Sequence, residues 1–214
     1  MERKTTPAQV AVAQRLKDQF APAYLTLTSI IQGVALSALV VRVESYYPQF
    51  TATDWLLAIA TFVTIITVWN EYVMQVLAFV WAPSLIDSVV PFAFLVGELF
   101  AIHFVYNNLR LWLFTAACIF LVGVAAQIVT TVQSRRFAEE NRDIGLILTR
   151  SARMRPVLGA VFIVLSLGTW ALYDGVQSAH VQGLVAGLAL LAILVFMASS
   201  VPYWNHVLLY ARGE

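Results

Sequence analysis

Six long apolar stretches, separated by short polar links, constrain this chain more than any other feature of its sequence. They lie near 23–43, 54–81, 86–106, 110–133, 155–174 and 181–204. Each is long enough to cross a hydrocarbon core of about 30 Å as a helix. Runs such as LLAIATFVTII and VLGAVFIVLSLG do not alternate apolar and polar residues, which argues against a membrane β-barrel. The expected fold is therefore all-α: a polytopic membrane protein with six transmembrane helices and both termini cytoplasmic. With 60% hydrophobic and only 12% charged residues among 214, the chain lacks the polar surface of a soluble domain. The lipid bilayer is its expected surrounding. A net charge of +1 supplies no basic field for nucleic acid, which is not expected as a partner.

Lys and Arg set the orientation. Arg3, Lys4, Arg15 and Lys17 precede the first span. Arg135, Arg136, Arg142, Arg150, Arg153 and Arg155 lie between the fourth and fifth, and Arg212 is in the tail. With six spans these eleven of the 13 basic residues share the cytoplasmic side. Only Arg42 and Arg110 fall on the other. The organisation expected is a cytoplasmic or interfacial amphipathic helix over 1–22, transmembrane helices 1–4 over 23–133, a basic cytoplasmic link over 134–154, helices 5–6 over 155–204 and a tail over 205–214. Val10, Ala13, Leu16 and Phe20 give the first segment its apolar face. The link is expected to extend the fourth helix and then turn along the membrane surface. No cleavable signal peptide is evident. Trp55, Trp112, Trp170, Trp81 and Trp204 fall near predicted span ends, as interfacial anchors do.

Trp69 does not fit that belt. It precedes Asn70 and Glu71 inside the second span. A charged side chain at bilayer depth costs about 2.5–3.5 kcal/mol on insertion scales, so it is expected to have a counterpart, a cavity or a task. The short hairpin WAPSLID lets depth be compared on its two sides. Glu71 lies ten residues before Trp81 and Glu98 twelve after Ile86, which puts both carboxyls about 15–18 Å from the inner helix ends. Gln32 and Gln127 fall in the same inner half. A buried polar layer of Gln32, Trp69, Asn70, Glu71, Glu98, His103 and Gln127 is expected, with His103 toward its outer edge. Two readings stay open for it: an ion or proton pathway, or a satisfied hydrogen-bond network that clasps helices.

In the first span Thr26, Ser29, Gln32, Gly33 and Ser37 share roughly one face. Such a stripe packs helices closely or lines water, with Leu36 and Val40 as apolar constrictions. Ser29, Gln32, Gly33, Leu36, Ser37 and Val40 are the candidate pore-lining residues. Glu44, Asp54 and Asp174 make the outer mouth slightly acidic, which favours cations.

Cys118 is the only cysteine and reads as a small hydrophobe. No HExxH, GxSxG or Gly-rich phosphate loop is present. His103, His180 and His206 do not form a convincing haem pair. Neither an enzyme nor a cofactor or metal site is expected.

The six spans, the short second hairpin and the basic link resemble the endolysosomal potassium channel family and its bacterial six-helix homologues. The motifs behind the likeness are Gln32-Gly33 followed by VALSALVV, Trp69-Asn70-Glu71-Tyr72, and Pro91-Phe92. Where that family carries an Asp before the glycine and a His three residues after the Trp, this chain has Gln32 and Tyr72. The resemblance implies a homo-oligomer whose first helices line a pore for monovalent cations, in a bacterial inner membrane. The function expected is an oligomeric cation channel, potassium-like, or a proton channel. The alternatives are a non-conducting assembly or sensor protein and a small carrier.

Overall fold

A backbone surrounded by lipid has no water to satisfy its polar groups, so each N–H and C=O must be bonded internally, and helices do this within a single segment. The structure, a computed structural model, describes residues 7–79, 85–135, 139, 141–173 and 178–212, and no strand occurs among them. Helix α1 spans Pro7–Tyr46 and is followed by a 3-10 turn, Tyr47–Gln49. Then come α2 (Ala52–Ala78), α3 (Leu85–Phe104), α4 (Leu109–Ser134), α5 (Arg142–Ala171), α6 (Ala179–Ala198) and α7 (Ser200–Arg212).

Among the described residues, five helical stretches are long and apolar enough to cross a membrane: Gln19–Gln49, Ala52–Ala78, Leu109–Ser134, Met154–Ala171 and Ala179–Leu209. The third expected span corresponds to a shorter apolar helix, Ser88–Phe104.

Helix boundaries depart from the apolar runs in three places. From Pro7 the amphipathic segment is continuous with the first span rather than a separate interfacial helix, although the side chains of Val10, Ala13 and Leu16 lie outside the described part. Pro22 sits inside α1; it removes one backbone donor without ending the helix. The basic link is not an extension of α4, which stops at Ser134. From Arg142 onward it is the first half of α5, because Arg is a good helix former and a run of charge does not itself stop a helix. The last span is divided at Ser199 into α6 and α7. Pro202 offers no N–H to the carbonyl one turn earlier, which favours an interruption there.

Local chemistry sets several helix starts. Thr51 and Asp54 form a reciprocal capping box on α2. Asn108 caps α4 by accepting from Leu111 N at 3.1 Å, and Ser178 caps α6 by accepting from Val181 N at 3.3 Å. Asp54 is buried and also accepts from Asn107 N at 2.9 Å, so it ties the start of α2 to the α3–α4 turn. Asn107 has a φ of 57° there, a conformation that Asn tolerates better than most residues. Asp54 is therefore held by the Thr51 hydroxyl and by backbone donors at both the α2 start and the α3–α4 turn. Asp174 lies outside the described residues.

Helix α4 packs along α3 and α5, α2 lies against α6, and α1 covers α2 and α3, whereas α2 and α5 have no extensive packing with each other. Phe120 stacks on Phe162 with centroids 4.1 Å apart and meets Phe196 edge-on at 5.2 Å, joining α4, α5 and α6. Trp112 is buried within the bundle, not anchored at its rim; its indole donates to Thr61 Oγ1 at 2.8 Å. Thr61, Thr64, Thr67 and Thr115 each donate to the carbonyl one turn back, so hydroxyls are buried without needing partners on other helices.

Candidate functional site

The gap between α2 and α5 is bridged by charge. Glu71 of α2 forms an ion pair with Arg155 of α5. Arg155 is 3% exposed and also donates to Ser200 Oγ of α7 at 3.1 Å. The Ser200 hydroxyl in turn donates to Glu71 Oε1 at 3.4 Å. The break at Ser199 restarts the helix with Ser200 facing this pair. The guanidinium lies over the Phe196 ring, 5.2 Å from its centroid, and 6.0 Å from that of Tyr203. These rings supply a weakly polar wall that still attracts a cation.

The pair sits between two cavities. One, of about 60 Å³, runs along α2 and α4 past Thr64, Thr67 and Gly123; the other, of about 40 Å³, runs past Thr130, Thr131 and Ser134 toward the ends of the same helices. Glu71, Gln75, Gln127 and Arg155 line both, forming the waist between them. Each volume exceeds the roughly 10–15 Å³ that one water needs. Glu71 keeps 21% of its side-chain surface open, as its place on two cavity walls requires. Thr130 donates to Gln75 Oε1 at 3.1 Å, holding the α2 and α4 walls together. The Arg155 Nε–H is buried without a hydrogen-bond acceptor, so the waist retains an unused donor.

The expected polar layer divides into two groups. Glu71 does not face Glu98; it turns to α5 and α7, while its neighbour Tyr72 turns to α1 and α3, packing against Tyr24 at 5.7 Å and Phe94 at 5.7 Å. Consecutive helical residues diverge by about 100°, so depth alone does not bring two carboxyls together. Helix α2 also ends at Ala78, which leaves Glu71 about 10 Å from the helix end, nearer than the 15–18 Å expected. Gln127 joins the Glu71 group. Asn70 accepts from the Trp204 indole at 2.8 Å. Trp69 points the other way and donates to Ser29 Oγ of α1 at 3.2 Å. Gln32 and Glu98 belong to the second group, on the α1–α3 side. His103 belongs to neither: its side chain is exposed beside Phe104, and its backbone carbonyl accepts from Arg42 at 2.6 Å.

Among the candidate pore-lining residues, Ser29, Gly33, Ser37 and Val40 lie on an uncovered face of α1. A Cβ added to Gly33 would meet nothing within 4 Å. Gln32 is buried inside the bundle, and Leu36 packs partly against the core. These two leave the stripe because their helical angle carries them toward α2 and α3.

Sequence reasoning placed Arg155 in the topogenic link and missed Ser200, Trp204 and Tyr72. Arg155 had a signal: it immediately precedes Pro156 and an apolar run, where a buried acid would find a cation. No family model matches the chain, and neither does a known protein or a solved structure.

Proposed function

We propose that this chain is a six-span membrane protein with both termini cytoplasmic that passes protons or monovalent cations, potassium among them, as a homo-oligomer in a bacterial inner membrane. The observation that supports this most is the Glu71–Arg155 pair at the waist between two largely apolar cavities, where Gln75 and Gln127 join it. Ionisable groups that face a bundle interior in membrane proteins mark ion and proton routes. Two routes fit the oligomer. One is an axial pore lined by the Ser29, Gly33, Ser37 and Val40 face of α1. The other runs through each subunit along the two cavities, with the ion pair as its gate, as a small carrier would have it.

A non-conducting assembly protein is the second reading. It draws on the number of satisfied contacts beside Glu71: Arg155, Ser200, and Trp204 on Asn70. Flux of potassium, sodium and protons into liposomes holding the reconstituted protein separates the readings. Glu71→Gln alone leaves Arg155 buried and unpaired, so the informative variant is the double neutralisation Glu71→Gln with Arg155→Gln. The transport reading expects wild-type flux above empty liposomes and an altered rate or selectivity in a double variant that still folds. If wild-type vesicles leak no faster than empty ones at any pH or voltage, the chain does not conduct.

A further inference from the structure

The second polar group lies on the opposite side of α2 and has no role in the ion-pair site. Glu98 of α3 is 0% exposed, Gln32 of α1 is 3% exposed and Tyr72 of α2 is 5% exposed. Both carboxyl oxygens of Glu98, both polar atoms of the Gln32 amide and the Tyr72 hydroxyl lack a hydrogen-bond partner. The three side chains nevertheless converge. Gln32 and Tyr72 both stand within electrostatic reach of the Glu98 carboxyl, from α1 and α2, two of the three helices packed beside α3.

Charge bookkeeping decides what such a group can hold. A buried carboxylate needs a cation or several donors. Among the described residues, Arg155 pairs with Glu71, and Arg42 donates to the His103 carbonyl and lies over Tyr46. The other titratable groups around the site carry no positive charge. They are Tyr72 of α2, Tyr24 of α1, which packs on Tyr72, and Cys118 of α4, on the wall that α4 shares with α3. Among the described residues, no cation pairs with Glu98. Because Glu98 is wholly buried, a water-sized sphere cannot touch it, so a hydrated ion has no room. A proton needs none.

We propose that Glu98, Gln32 and Tyr72 form a proton-binding site in which the Glu98 carboxyl is held as the neutral acid and donates to the Gln32 carbonyl oxygen. Removing the proton leaves a carboxylate that, among the described residues, has only the Gln32 amide NH2 and the Tyr72 hydroxyl to donate to it, so ionisation favours water entry or separation of α1 from α3. The site therefore couples proton occupancy to the position of α1. Its effect on flux rests on the transport reading above; the bound proton does not.

Infrared spectra of the reconstituted protein test the site directly. At neutral pH the wild type shows a protonated-carboxyl C=O band that is missing from Glu98→Gln, is lost at alkaline pH, and shifts in Gln32→Leu, where the acceptor is gone. Glu98→Gln mimics the neutral acid, so it folds and keeps its thermal midpoint at alkaline pH while the wild type's falls. No protonated-carboxyl band at neutral pH, or the same band in Glu98→Gln, overturns the proposal. So does saturable binding of labelled sodium or potassium that Glu98→Gln abolishes. A band without any flux leaves the proton site standing and removes the transport reading. Flux without the band does the reverse. Where both are present, Glu98→Gln is expected to flatten the pH dependence of flux.

Discussion

Glu71 and Arg155 make each other tolerable. Either charge alone would be buried against Phe196, Tyr203 and the cavity walls with only Ser200 for support. Breaking a buried pair by removing one member typically costs about 3–5 kcal/mol, because the remaining charge keeps its desolvation penalty. Replacing both with uncharged residues avoids that residual charge. Arg155→Met is therefore expected to destabilise the protein by about 3–5 kcal/mol, and Glu71→Gln combined with Arg155→Met by distinctly less. Denaturant unfolding of both variants in the same detergent is the measurement; equal losses would mean that the pair is not coupled. At this scale the sequence was only half legible. An unusual Glu inside an apolar run can be read at sight, but its counterpart lies 84 residues away, and nothing local indicates which helix the carboxylate faces. Trp69, Asn70, Glu71 and Tyr72 turn to different neighbours: Ser29, Trp204, Arg155 and the Glu98 group.

Helices are where the sequence speaks most clearly. Apolar runs locate the spans because lipid demands both length and composition. The long helical extensions of α1 and α5 into charged sequence escaped that logic, since hydropathy reports the membrane and not the end of the helix. Close approach between helices is a further property that spacing does not reveal. On α3, a Cβ at Gly97 would stand 2.8 Å from Ile119 Cγ1 of α4. Ile119 is itself buried and β-branched, so it has little freedom to move aside. At Gly123 of α4 the nearest atom is Phe94 Cζ at 3.6 Å, an ordinary contact. Gly97→Ala is thus expected to cost about 1–3 kcal/mol through overpacking. Gly123→Ala should be neutral, or gain up to about 1 kcal/mol from helix propensity. Thermal unfolding of the two variants side by side checks the ordering, and a Gly97→Ala protein as stable as the wild type would show that α3 and α4 are free to separate.

At the scale of the whole molecule, the proposed homo-oligomer turns on which surface meets lipid and which would meet a second copy. Lipid offers no hydrophobic drive between helices, so subunits associate through close packing, and small residues permit it. The uncovered face of α1 carries Ser29, Gly33 and Ser37 among Ile30, Val34, Val40 and Val41, whereas that of α6 carries Leu184, Leu188 and Leu191. The proposed homo-oligomer should therefore be built on α1, with α6 toward lipid. Cysteine cross-linking in native membranes distinguishes these faces, once Cys118 is replaced by Ala to remove the native thiol. Ser37→Cys in that background is expected to yield a disulfide-linked dimer on oxidation. Leu188→Cys, also at an exposed position, is expected to stay monomeric. A dimer from Leu188→Cys alone would move the interface to α6 and take the axial pore with it, leaving only the route through each subunit past Glu71 and Arg155. Monomers from both would remove the oligomer, and an ion path would then have to exist within the single bundle.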